Sequence, residues 1–200
     1  MKRLIALYIL VATPSVWSQA TVAEQTAQAF QADLNMEFAN PEESPLTAED
    51  LKTFKALDFY PIDEKYRVQA TFVRTPNEKT FKMKTSTTRT PEYVKYGELR
   101  FVLDGKACQL NVYQNIELVK KEGFADYLFL PFFDSSCGKE SYIGGRYLDL
   151  RIPKGDTISI DFNKAYNPYC AYNHKYSCPI VPLDNNLDLA ILAGVKKFHD

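Results

Sequence analysis

Histidine is nearly missing from this chain, with only His174 and His199 among 200 residues. A serine or cysteine nucleophile of the usual triad needs a histidine base beside it. His199 sits at the end of the chain and His174 in a cysteine-flanked loop, so histidine-dependent acyl transfer is not expected. Glycine is sparse as well, and none of the eight falls in a G-x-G-x-x-G or phosphate-loop pattern. Nucleotide cradling therefore has no support, and no cofactor is implied. A basic excess is absent too: 24 lysines and arginines stand against 25 acids. That balance argues against a nucleic-acid partner. No block of like charge suggests a tail, and no apolar run is long enough to cross a bilayer.

What is present begins with a leader. Lys2 and Arg3 precede an apolar run from Leu4 to Ala12, then Pro14 and the small-x-small triplet Ser18-Gln19-Ala20. This is the layout of a secretory signal peptide over residues 1–20, with the mature chain starting at Thr21. The expectation is a periplasmic or secreted protein with no transmembrane anchor after cleavage. In an oxidising compartment four cysteines are read first as disulfides. Cys170 and Cys178 would close a short loop, stabilising by roughly 2.5 kcal/mol on the chain-entropy argument. The competing reading is a metal site, since Cys170, His174 and Cys178 are evenly spaced. It lacks a fourth ligand, and no metal is expected.

Residues 23–39 predict a helix with Ala27, Phe30, Leu34 and Phe38 on one apolar stripe, ended by Asn40-Pro41. A second helix is expected from Thr47, with Asp50 completing a weak capping box and Leu51, Phe54 and Leu57 as its apolar face. From Tyr66 the period changes to two. Tyr66, Val68, Ala70 and Phe72 alternate with polar residues, and the Phe81–Lys84 stretch keeps the habit. Leu99, Phe101 and Leu103 run into Asp104-Gly105, with Leu110 and Val112 beyond, which is the clearest hairpin. Tyr127 to Phe133 is apolar on both faces, as a central strand is, although Pro131 demands an edge or bulge. The organisation expected is a helical segment over residues 21–43 and a single β-rich domain over 44–200. The fold class is mainly β, an antiparallel sandwich or open barrel with one or two N-terminal helices.

Polar residues crowd into the stretch from Asp134 to Pro182. Leu148, Leu150 and Ile152 share one strand face, and Ile158, Ile160 and Phe162 share one face of the next, with Pro153-Lys154-Gly155-Asp156 between. If these two strands pair as a hairpin over one core, Leu150 meets Ile160 and Leu148 meets Phe162. That register sets Asp149 opposite Asp161 and Tyr147 opposite Asn163. Facing carboxylates need relief from an arginine such as Arg151, a shared proton or a cation. Arg146, two residues before Leu148, points to the apolar side and must find a carboxylate; Asp134 or Glu140 in the preceding loop is expected to supply it.

These residues also resemble a known family. Ser141-Tyr142-Ile143-Gly144-Gly145-Arg146-Tyr147-Leu148-Asp149 is similar to the E-T-Y-x-x-G-R-Y-L-D signature of the domain-of-unknown-function 1684 family. Asp161 to Ala171 is similar to its D-F-N-x-A-Y-N-P-x-C-A, and Cys178-Pro179 to the cysteine-proline that follows. The likeness runs from about Ser44 to Lys196 and implies a β-rich fold without an established activity. Three positions depart from the family pattern: Cys137 replaces a small hydroxyl residue, Asn186 an arginine and Val195 a glutamate. Because Cys137 stands in for a hydroxyl residue and Cys108 has no other partner, Cys108–Cys137 is the second disulfide expected.

Three functions fit. One is a binding or accessory module whose pocket takes a small molecule or envelope glycan, with Tyr142, Arg146, Tyr166 and Asn167 lining it. Another is a hydrolase using paired carboxylates, Asp134 with Glu140 or Asp149 with Asp161. The third is a structural protein in which Asp134, Glu140, Tyr142, Arg146, Asp149, Asp161, Asn163, Tyr166 and Asn167 only fix the fold.

Overall fold

A computed structural model describes residues 25–199; the leader expected over residues 1–20 lies outside them. Among the described residues no helix is long and apolar enough to cross a membrane. Asp104 and Gly105 both take positive φ, 48° and 74°, the backbone that two-residue hairpin turns require. They join β3 (Glu92–Leu103) to β4 (Lys106–Asn115), whose pairing closes at Leu103 opposite Lys106. Around this hairpin lie β1 (Arg67–Arg74), the short β2 (Phe81–Lys82), β5 (Tyr127–Phe132), β6 (Arg146–Arg151) and β7 (Thr157–Asp161). The seven strands form one antiparallel sheet in the order β6-β5-β4-β3-β1-β7, with β2 added on β3. The sheet curls into a half-barrel, so the open-barrel alternative holds, and among the described residues there is no second sheet to make a sandwich.

Alternation then decides what each face carries. Val68, Leu99, Leu110, Leu130, Leu148 and Ile160 are buried in the core that fills the concave side. The opposite face carries a second cluster of Tyr93, Tyr113, Phe129 and Tyr147 with Met83 and Val181. Over part of that second face lies α1 (Ala27–Ala39), which starts where the Thr26 hydroxyl accepts from the Ala29 N–H and ends at Asn40. The helix α2 (Ala48–Thr53) has the expected cap: Thr47 Oγ1 accepts from Asp50 N and donates to the Asp50 carboxylate at 2.6 Å. It is a single short helix, and of the face expected for it only Leu57, beyond its end, is fully buried.

The pairing expected for β6 and β7 is not formed. They occupy opposite edges of the sheet: Asp149 is opposite Phe129 of β5, and Asp161 is opposite Arg67 of β1. Both apolar sets do face one core, as alternation requires, but a curled sheet lets its two edges do so without being neighbours. The edge of β6 is met instead by the chain after β7, where Tyr147 and Tyr166 exchange both backbone hydrogen bonds at 2.9 and 3.0 Å.

Between β4 and β5 the only paired position is Tyr113 with Phe129. Pro131 has no N–H to give, and a side chain fills the ladder in its place. The buried Asn185 amide accepts from Asn111 N at 2.8 Å and donates to Asn111 O at 2.8 Å and Pro131 O at 2.6 Å. Three buried backbone groups are thus satisfied by one amide.

Candidate functional site

The polar stretch of the sequence divides into two places, separated by the sheet. On the core side, Gly145 turns the chain into β6 at φ +82°, where a Cβ would come 2.7 Å from the Phe132 carbonyl oxygen. The next residue, Arg146, is fully buried and meets Asp134 at 3.0 Å. Its guanidinium also donates to the carbonyls of Ile191, Ala193 and Val195. Asp134 is saturated in turn: its second oxygen accepts from Ser136 N, Ser136 Oγ and Ile191 N. Burial alone would raise this carboxyl, but Arg146 and these donors outweigh it and hold it below the ordinary aspartate value. The expectation for Arg146 is met through Asp134. Glu140 does not share in it: it is exposed, and its backbone carbonyl accepts from Lys197 N.

This node fastens the C-terminal segment to the loop after β5. Val195, one of the three departures from the family pattern, contributes its carbonyl to Arg146 while its side chain is buried. Asn186 forms a bridge with Phe133. Cys137 holds the place of a hydroxyl residue, its sulfur 3.4 Å from Asp134 Oδ1.

On the other face lies a recess of about 390 Å³. Its floor comes from β5 and β6, through Tyr127, Phe129, Tyr147 and Asp149. Its walls come from Phe30, Leu34 and Glu37 of α1, from Tyr93 of β3, and from the chain after β7 through Tyr166, Pro168 and Tyr169. Tyr127 and Tyr166 both donate to the same oxygen of Asp149, at 2.6 and 2.7 Å. The other oxygen, Oδ2, takes no hydrogen bond among the described residues. By surface area Asp149 is exposed, yet protein crowds it on most sides. An open recess reconciles the two, with water reaching the carboxylate from one side only. That crowding raises its pKa above the ordinary aspartate value, against the two tyrosine hydrogen bonds and Arg151, which pull it down. Arg151 itself pairs with Asp126 at 2.7 Å rather than with Asp149.

The remaining expected site residues are distributed unevenly. Tyr166 joins Asp149 in the recess. Tyr142 and Asn167 do not line it: Tyr142 reaches Cys170, and Asn167 donates to Lys196 O at 2.8 Å. Asp161 accepts from the backbone and side-chain nitrogens of Asn163, whose amide is also bonded to the backbone of Asp63. These are ties of the fold. With Asp149 and Asp161 on opposite edges, the strand-to-strand carboxylate pair is gone. Sequence reasoning missed Glu37, Tyr93, Tyr127 and Tyr169. A signal existed for α1, because Phe30, Leu34 and Glu37 are spaced to share one helix face.

All four cysteines are free thiols, so neither expected disulfide is present. Cys108 lies in the β3–β4 hairpin opposite Phe101, and Cys137 in the loop after β5 beside Asp134, so each has a local setting of its own. Cys170 and Cys178 are adjacent, with Cys170 N donating to Cys178 Sγ at 3.2 Å. Their mutual thiol hydrogen bond lowers the pKa of Cys170 and raises that of Cys178. Among the described residues no group of three or more His, Cys, Asp or Glu side chains could hold a metal ion.

Comparison with known proteins places this arrangement. No curated protein matches the sequence. The solution NMR structure of an uncharacterized protein from Haloarcula marismortui is similar at 34% identity and a TM-score of 0.67, over 84% of this chain and 91% of that one. A family model described as "Protein of unknown function (DUF1684)" matches residues 52–196. The chain belongs to that family.

Proposed function

We propose that this protein is an exported binding module whose ligand site is the recess between α1 and the outer face of β5 and β6. One observation carries the reading: a carboxylate with an unpartnered oxygen stands in a tyrosine-lined concavity of ligand size. Asp134, which is tied into the fold, has both of its oxygens met. Export is supported by the basic, apolar and small-residue pattern of residues 1–20.

The test of the site is a thermal-shift screen of small molecules and soluble glycans on the mature chain. Hits are then repeated on Leu34→Trp, which fills the recess from the α1 side. Stabilisation by some compound, lost in Leu34→Trp, is the expected result. Hits indifferent to that substitution would place the site elsewhere. N-terminal sequencing of the soluble protein from its native host should find Thr21 first.

A further inference from the structure

We infer that the recess is selective for an organic cation, an ammonium group carried on an apolar or aromatic body. This rests on the reading of the recess as a ligand site and names what that site takes. The first ground is charge. The recess is lined by Glu37 and Asp149, and among the described residues no lysine, arginine or histidine lines it. An anionic ligand would meet two carboxylates, and the nearby Arg151 lies outside the lining and is paired with Asp126.

The second ground is the supply of hydrogen bonds. Five tyrosines line the recess, and four of their hydroxyls already donate to a partner in the protein. Tyr127 and Tyr166 donate to Asp149, Tyr169 to Glu37 and Tyr147 to the Pro179 carbonyl. Tyr93 accepts from the Asn115 side chain, so its hydroxyl proton is the one tyrosine donor left over. The site thus offers acceptors and few donors. A ligand rich in acceptors, such as a carboxylate or phosphate, finds only the Tyr93 hydroxyl there, whereas an ammonium donor finds Asp149 Oδ2.

The third ground is the wall itself. Tyr127, Tyr147, Tyr166 and Tyr169, together with Phe30 and Phe129, present aromatic surface around the acid. Aromatic faces attract cations, and the pull grows as water is excluded. Leu34, Leu118 and Pro168 supply apolar surface for the rest of the molecule. A bare inorganic ion would leave all of that surface unused.

Three probes of nearly equal size separate the possibilities: 2-phenylethylammonium, 2-phenylethanol and phenylacetate, with chitotriose as a glycan. Calorimetric titration of the mature chain at neutral pH should show the ammonium binding at least about tenfold more tightly than the alcohol, a difference of about 1.4 kcal/mol, with phenylacetate weakest. Asp149→Asn should erase the preference for the ammonium over the alcohol. The wild-type comparison stands alone if that variant does not fold. If the alcohol, phenylacetate or chitotriose binds as tightly as the ammonium, and Leu34→Trp abolishes that binding, the cation inference is overturned while the recess remains the site. If none of the four binds, or their binding ignores Leu34→Trp, both readings fall.

Discussion

Asp134 and Asp149 are two aspartates served by one strand, and they have opposite fates. Arg146 and Asp149 sit three positions apart on β6, so their side chains leave the sheet on opposite faces. On the core side Asp134 meets a guanidinium, a hydroxyl and two backbone N–H groups, which leaves it ionised and saturated. On the outer side Asp149 meets only neutral hydroxyls, both on one oxygen. The first has no capacity left for anything beyond the fold. The second retains a free acceptor, solvent on one side and a proton affinity above normal. What separates a fold-fixing carboxylate from a binding one here is its partners, since residue type and neighbourhood in sequence are shared.

The comparison can be broken most forcefully at Arg146. Arg146→Ala leaves Asp134 buried without its cation and frees three carbonyls of the C-terminal segment, so unfolding free energy should fall by about 3–5 kcal/mol. A loss below about 1 kcal/mol in a denaturant titration would mean that the node is not a fastening at all. Asn185→Ala, which strands two carbonyls and one N–H between β4 and β5, should cost on the order of 2–4 kcal/mol by the same measurement. Asp149→Asn should change stability by less than about 1 kcal/mol, because its partners are hydroxyls and water still reaches it.

Acidity sharpens the contrast because the two shifts have opposite sign. Asp134 has a depressed pKa in the folded protein. Its contribution to stability is therefore present above the unfolded value of about 3.9 and is lost as pH falls through the folded value. Asp149 has a raised one, so it favours folding below about 3.9 and that contribution disappears as pH rises through its folded value. The Asp149→Asn protein should thus gain slightly on the wild type toward neutral pH and lose that margin in acid. Equal pH–stability curves for the two proteins would show that Asp149 is not perturbed. Ammonium affinity should also decline on acidification from a higher pH than an ordinary aspartate would give. The groups facing Asp149 are Tyr127 and Tyr166, with Arg151 nearby and Glu37 across the recess. The tyrosines stay neutral across that range, since burial raises each of them.

Much of this was legible in the sequence, for local reasons. The Asp104-Gly105 turn, the Thr47 cap and the alternation of β6 and β7 each depend on a few adjacent residues. Arg146 was legible because a guanidinium on an apolar face has to find an acid, and Asp134 was close by. The partner strands of β6 and β7 were not legible. Alternation reports which face a residue occupies, and both edges of a curled sheet present the same face to one core. The recess was hidden for another reason. Its lining comes from α1, β3, β5, β6 and the chain after β7, and Phe30 and Leu34 read equally well as core. Asn185 carried no pattern at all, since a side chain standing in for a strand has no period.

The pairing of β1 with β7 also sets an order of events for a chain that must find its shape. Arg67 lies opposite Asp161 and Ala70 opposite Ile158, so the first long strand has one of its two neighbours near the far end of the sequence. The β3–β4 hairpin can close on its own within microseconds, but β1 stays half-clothed until β7 arrives. Such non-local closure belongs to domains that fold in milliseconds to seconds. During that wait the exposed edge of β1 is open to any protein that holds unfolded chains, and to other copies of the same strand. The alternating polar residues of β1, Arg67, Gln69 and Thr71, would then be a guard against self-association as much as a solvent face.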